Sequence, residues 1–399
     1  MTMFKMIAAG AGVLLLAVGS LAQTGGRPSP EQLAQARAMR DKAADYLLTQ
    51  QDAATGGWSV REGGPNLPAI TGLVLLGMTA DGAIANRDRA TTRAIDRGFE
   101  YVLSMQQGDG GVYDRILPQY NTAIALAALS RRDDDRARDA ARRALAFLRT
   151  LQYSEDNPNE ELRVNRDHPF YGGIGYGGSG RPDNSNMHMF MLALQEAGVS
   201  ADDPAVQRAL VFLQRTQMDD RVNDMAYARG SRQGGFIYST SPSGEQMGAG
   251  ESKAGTIEET LSDGTTASRL RAYGSMTYAG FKSYAYAQLP ADDVRVTAAL
   301  DWIRQHYTVE ENPGIGTDGY YYFILTFSRA LDAYGQPTLE VVATDGSQEI
   351  VNWADDLIEQ LATLQNEDGS FRSVDDRWME NNPVLITAYS LIALGEVLD

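Results

Sequence analysis

The sequence predicts an all-α protein, an (α/α)6 barrel (an α/α toroid) of six helical hairpin repeats, from three observations. An aromatic, an aliphatic, three variable residues and a glutamine recur along the chain. A glycine-rich turn carrying an aromatic follows each copy. Amphipathic helices alternate with helices that are apolar almost all round. The glycine turns fall at steps of roughly 50 to 80 residues, enough for two helices and their loops. A helix with one polar stripe keeps a wet face, whereas a helix apolar on every side must be surrounded. Six of the first outside six of the second make a closed double ring. An open helical solenoid would instead present a polar concave face on its inner helices.

The elements justify this in order. Lys5 precedes a run from Met6 to Val18 that is apolar or small, with Ser20 and Ala22 suiting cleavage, so residues 1–22 read as a secretory signal peptide. The run is shorter than the about 20 residues that a spanning helix needs, and an uncleaved anchor is the alternative. Residues 23–30 (Gln-Thr-Gly-Gly-Arg-Pro-Ser-Pro) read as a flexible leader, and residues 31–399 as one toroid domain. The repeat runs Tyr46-Leu47 to Gln51, Tyr101-Val102 to Gln106, Phe147-Leu148 to Gln152 and Phe212-Leu213 to Gln217. Weaker copies follow at Trp302-Ile303 to Tyr307 and Gln360-Leu361 to Gln365. The turns after them are centred on Gly57, Gly111, Gly173, Gly235, Gly316 and Gly369. In the third unit Ala141, Ala144, Leu145, Leu148 and Leu151 form the apolar stripe of an outer helix. Thr71–Gly77, Thr122–Leu129 and Leu385–Leu394 are inner helices. Thr338–Val351 reads as a surface β-hairpin around Asp345-Gly346. Asp133-Asp134-Asp135 reads as a helix cap.

Composition removes several functions. With no cysteine, a disulfide scaffold, a thiolate zinc site and a lipidated cysteine are impossible. A formal net charge of −17 makes nucleic acid and anionic lipid surfaces poor partners. No metal site and no cofactor is expected, and no membrane span once the signal is cleaved. Export places the protein in the periplasm or outside the cell, where a cysteine-free chain relies on core burial alone.

The repeat resembles the QW repeats of squalene and hopene cyclases and the related repeats of protein prenyltransferase β subunits. The resemblance covers roughly residues 31–399. Gly173-Ile174-Gly175-Tyr176-Gly177, Arg181-Pro182-Asp183-Asn184-Ser185-Asn186 and Tyr273–Gly280 look more like exported single-barrel bacterial members without an established activity. The cyclases protonate substrate with an Asp-x-Asp-Asp acid just before a Thr-Ala. Here Pro118-Gln119-Tyr120-Asn121 stands before Thr122-Ala123, without a carboxylate. The prenyltransferases hold zinc with Asp, Cys and His, which a chain with no Cys and three His cannot assemble in its usual form.

The chemistry is therefore sought at one rim of the barrel. Each outer helix leads through its turn into an inner helix, so the inner helices run the same way and gather their N-termini at one end. Helix N-termini favour an anionic or electron-rich group. Insertions at 153–183, 218–272 and 308–318 fall at that rim, where loops on a rigid scaffold carry function. Polar residues in or beside them include Tyr171, Tyr176, Arg181, Asp183, Asn184, Asn186, His188, Glu251, Lys253, Arg269, Arg271, Tyr273, Asp318, Tyr320, Tyr321, Tyr322, Trp378, Glu380, Asn381 and Asn382. His188 and Tyr278 replace small residues of the repeat, and are candidates for an acid/base pair or for space-filling core residues. Asp183 is either an acid beside His188 or an N-cap. Tyr176, Arg181, Asn186, Arg271, Tyr273, Tyr320 and Trp378 are the candidate ligand contacts. Successive helix residues are about 100° apart, so Tyr320, Tyr321 and Tyr322 cannot all face the lumen.

Three functions remain open. One is an enzyme or binder of an isoprenoid-like or other apolar small molecule, since aromatic faces stabilise positive charge. Another is a carbohydrate-active enzyme such as a polysaccharide lyase, for which Asn186, His188, Tyr278 and Arg271 supply the residue types. The third is a non-catalytic module of the cell envelope.

Overall fold

A computed structural model describes residues 26 and 28–398, except Glu62, Asp81, Ser179, Gly244, Glu245 and Thr344. The expected signal peptide lies outside the described residues. The first helix begins at Pro30, because Ser29 caps it through a reciprocal box with Gln32 and the proline occupies its first turn.

Six outer helices are α1 (Pro30–Thr49), α3 (Arg89–Ser104), α5 (Asp135–Thr150), α7 (Pro204–Thr216), α9 (Val294–Gln305) and α11 (Trp353–Leu364). Each precedes an inner partner: α2 (Pro68–Met78), α4 (Pro118–Ser130), α6 (Asn184–Glu196), α8 (Gly274–Tyr286), α10 (Tyr320–Tyr334) and α12 (Pro383–Leu398). Each inner helix packs on the next, and α12 packs back onto α2, which closes the ring. The inner helices are buried on every side, α2 and α4 almost throughout. The barrel is thus a filled core, with inner-helix N-termini at one mouth and C-termini at the other.

The repeated glutamine has a physical task. Its side-chain amide donates to a carbonyl of its own glycine turn and to a carbonyl of the next outer helix. Gln51 reaches Gly56 and Ala94 at 2.8 and 2.7 Å. Gln106 reaches Gly110 and Ala140, Gln152 reaches Gly172 and Ala205, and Gln217 reaches Gly234 and Arg295. Gln365 reaches Gly369 and Met39, tying the sixth unit to the first. In the weakened fifth unit Tyr307 substitutes, its hydroxyl donating to Asp356 of α11 at 2.6 Å. The turn needs glycine: at Gly172, with φ +78°, a Cβ would lie 1.8 Å from the Arg208 carbonyl oxygen.

The expected hairpin is present as β3 (Thr338–Val342) paired antiparallel with β4 (Gln348–Asn352). Buried Leu339 and Val341 pack β3 against α9. The sequence reading did not anticipate a second hairpin, β1 (Thr256–Thr260) with β2 (Thr266–Leu270), inside the 218–272 insertion. Its strands are largely exposed, so they lack the alternating apolar pattern by which a strand is recognised. Asp134 caps α5, its carboxylate accepting from the Ala137 amide at 2.8 Å. Among the described residues no helix is long and apolar enough to cross a membrane.

Candidate functional site

At the N-terminal rim the insertions enclose a cavity of about 90 Å³ lined by Tyr176, Ser185, Tyr238, Tyr273, Met276, Tyr322, Trp378, Glu380 and Tyr389. Four inner helices supply its floor, through Ser185, Met276, Tyr322 and Tyr389, and the loops supply its walls. The lining carries aromatic rings, one carboxyl group and no cationic side chain.

Glu380 owes its position to a defect in α10. That helix starts after Gly319, which has no side chain to cap the free amides of the first turn. Glu380, 59 residues beyond Tyr321, supplies the cap: its Oε2 accepts from the Tyr321 amide at 3.0 Å and its Oε1 from the Tyr322 amide at 2.8 Å. Burial pushes its pKa up to about 7, against the lowering effect of those amides. The segment that delivers it is strained. Trp378 and Met379 both adopt left-handed backbone, at φ +53° and +69°. The Trp378 ring lies against Gly319, where a Cβ would approach it to 2.6 Å, and the Arg377 guanidinium covers it at 4.5 Å from the ring centroid.

Asp183 is the N-cap of α6. Its Oδ1 accepts from the Asn186 amide at 3.0 Å and the Ser185 hydroxyl at 2.6 Å, and its Oδ2 from the Asn186 side chain at 2.9 Å. Burial raises its pKa while these bonds oppose the rise. Asp183 thus stands one residue behind the pocket, holding Ser185, whose hydroxyl pairs with that of Tyr176 at 3.3 Å.

His188 lies beneath the floor, its Nδ1 3.0 Å from the Tyr322 hydroxyl. Burial first, then the charges of Lys282 and Arg329, push its pKa well below the ordinary imidazole value, so the ring is neutral. Its expected partner is not Tyr278. That ring packs edge-on against Phe323 and at a tilt against Phe327, and its hydroxyl has no hydrogen-bond partner among the described residues. The paired acid/base of His188 and Tyr278 is corrected to a His188–Tyr322 bond, because helix rotation turns Tyr278 toward α10 and away from the cavity.

Of the expected contacts, Tyr176, Tyr273 and Trp378 line the cavity. Arg181 sits above it, paired with Glu251 at 2.9 Å and stacked over Tyr238. Asn186 is held behind it by Asp183. Two expectations need correcting. The Tyr320 hydroxyl donates to the Val309 carbonyl at 2.7 Å and accepts from Gln360 of α11, so the ring points outward and Tyr322 is the lumen-facing member of the triplet. Arg271 is placed by backbone bonds to Gly255 and Ser252 in the β1–β2 insertion, outside the lining. Sequence reasoning placed Glu380 and Tyr322 among the rim residues without selecting them, and passed over Ser185, Tyr238, Met276 and Tyr389. Among the described residues no group of three His, Asp or Glu side chains could hold a metal ion.

The squalene-hopene cyclase C-terminal domain family matches residues 16–221. No protein of curated function matches the sequence. Among solved structures, a family 76 glycoside hydrolase from a bovine Bacteroides thetaiotaomicron strain is 11% identical with a TM-score of 0.57, over 93% of this chain and 78% of that one. An inactive variant of an α-1,6-mannanase of Salegentibacter sp., in complex with α-1,6-mannotriose, is 10% identical with a TM-score of 0.54, over 91% and 98%. A type II terpene cyclase from Scytonema, in complex with merosterolic acid A, is 14% identical with a TM-score of 0.49, over 92% and 98%. At these identities the likeness is one of fold.

Proposed function

Because the chain belongs to the family of the squalene-hopene cyclase C-terminal domain, we propose that its rim pocket takes the reacting end of an isoprenoid-like molecule and that Glu380 is the proton donor there. The observation that carries this reading is a carboxyl group of pKa about 7 in an aromatic-lined cavity. It offers this chain a carboxyl group at the rim, which the residues before Thr122-Ala123 lack. A pKa near 7 suits proton exchange at neutral pH with an oxygen-bearing end, such as an epoxide, better than with a bare alkene. Protonation of that oxygen lets its C–O bond break and leaves positive charge on carbon. Tyrosine and tryptophan faces stabilise such charge, and the Tyr321 and Tyr322 amides hold the carboxylate left behind. Loss of a proton from a neighbouring carbon to that carboxylate restores the acid. A cavity of about 90 Å³ admits one end of the ligand, and the rest would lie across exposed Tyr176 and Trp378. The N-terminal sequence supports export of the protein to meet such a ligand.

A carbohydrate ligand is the second reading, favoured by the small cavity, its phenol hydroxyls and its two exposed aromatic platforms. Hydrolysis usually needs two carboxyl groups flanking the bond, and only Glu380 lines this cavity. Incubation of the full chain with a lipid extract and, separately, with a polysaccharide panel distinguishes the readings. We expect an apolar species to co-purify and be converted, as read by mass spectrometry. Sugar products with no bound apolar species would overturn the isoprenoid reading.

A further inference from the structure

The opposite mouth of the barrel, where the inner helices end, holds a second cavity of about 450 Å³ whose lining includes Arg131, Glu196, Tyr286, Arg329, Asp332 and Glu396. Two ion pairs cross it. Arg131 forks onto Glu196 at 3.0 and 2.5 Å, and Arg329 Nε meets Glu396 at 2.9 Å. These pairs leave two donor atoms unused. Arg329 Nη1 has no hydrogen-bond partner among the described residues, although the residue is only 4% exposed. Lys282, one helical turn inside Tyr286, is 1% exposed, and its Nζ likewise has none. The amine nitrogen lies 4.7 Å over the Tyr286 ring, whose face offers no lone pair. Burial first, then the charge of Arg329, push its pKa well below the ordinary lysine value, against the opposing effect of Glu396, Glu196 and Asp332.

We propose that this mouth is a second ligand site, taking a compact oxyanion, a carboxylate or a phosphate, at Arg329 Nη1 and Lys282 Nζ. A buried donor without an acceptor is destabilising. An oxyanion supplies both donors with acceptors; its bond to the guanidinium is of the strong, charge-assisted kind, and its charge beside the amine favours the protonated form. The inner-helix C-termini and the three carboxylates bring negative charge to the same mouth. An anion is therefore held only where buried donor atoms lack acceptors among the described residues, which is at Arg329 Nη1 and Lys282 Nζ. Arg329 lines the cavity and is met first. Tyr286 separates the cavity from Lys282, and its ring must turn for the amine to be reached. No lining residue is shared with the rim pocket, and the two proposals are tested separately.

The test uses the full-length protein, with inorganic phosphate and acetate as probes and sodium chloride at matched ionic strength as the control. One probe is expected to raise Tm and give a saturable heat by calorimetry, and which of them does so decides between phosphate and carboxylate. Lys282→Met should fold, since it removes from an apolar helix a buried amine without a hydrogen-bond partner among the described residues, and should weaken binding by about tenfold or more. Arg329→Lys keeps the charge without the free Nη1, and should weaken binding by a similar factor. The proposal is overturned if neither probe stabilises the wild type beyond chloride, or if both variants bind as tightly as wild type.

Discussion

Glu380 holds its proton more tightly in the folded chain than in the unfolded one, where an ordinary glutamate has a value of 4.5 against about 7 here. The unfolded state therefore releases its proton first as pH rises, and the stability contributed by the buried acid is lost between those two values. A shift of this size corresponds to on the order of 3 kcal/mol across that window. Thermal unfolding of wild type and Glu380→Gln from acid to mildly alkaline pH should show wild-type Tm falling through the window more steeply than that of the variant. Parallel curves would mean that Glu380 titrates alike in the folded and unfolded chain. In a turnover assay the same variant should lose about 10²–10⁴-fold in kcat while still binding ligand, the range expected for removal of a general acid. Wild-type kcat should decline as pH passes about 7. This residue was only partly legible. Its place at the rim followed from the sequence, but its role depends on amides of Tyr321 and Tyr322, far away in the chain, which no local pattern connects to it.

At the scale of elements, the glutamine clamp explains why the repeat is readable at all. The residue must sit at a fixed place at the end of its outer helix, so its spacing from the aromatic-aliphatic pair survives while the chain between it and its turn varies from 4 residues at Gly110 to 20 at Gly172. Gln152 is a buried clamp that links two units through Gly172 and Ala205. Gln152→Leu strands two carbonyls, and should cost about 2–4 kcal/mol in urea unfolding. Tyr307→Phe removes the single bond to Asp356, and should cost about 1 kcal/mol. The inner helices show the opposite case. Since they are apolar all round, their sequence has no polar stripe to reveal which side faces the lumen. For that reason His188 and Tyr278, four residues into their helices, looked equivalent, and the structure separates them into a residue under the pocket and a residue between helices. The same lack of phase hid Tyr322 among three tyrosines and Tyr389 on α12.

For the whole molecule, closure of the ring converts six local repeats into one core with two different ends. One mouth gathers helix N-termini, aromatic loops and an acid; the other gathers helix C-termini and ion pairs. Packing of α12 on α2 and the bond from Gln365 to Met39 are the last links of that ring. If the ring is one cooperative unit, Gln365→Ala should lower a single calorimetric transition, whereas two separated transitions would show halves that unfold independently. The central claim, however, is local: an acid still protonated near neutral pH faces an aromatic pocket. Infrared titration of the carboxyl C=O band, as the difference between wild type and Glu380→Gln, tests it most directly. The account predicts a protonated-carboxyl band present in wild type, absent in the variant, and lost with a midpoint near 7. A difference spectrum with no such band at any pH above that of ordinary glutamates would contradict it.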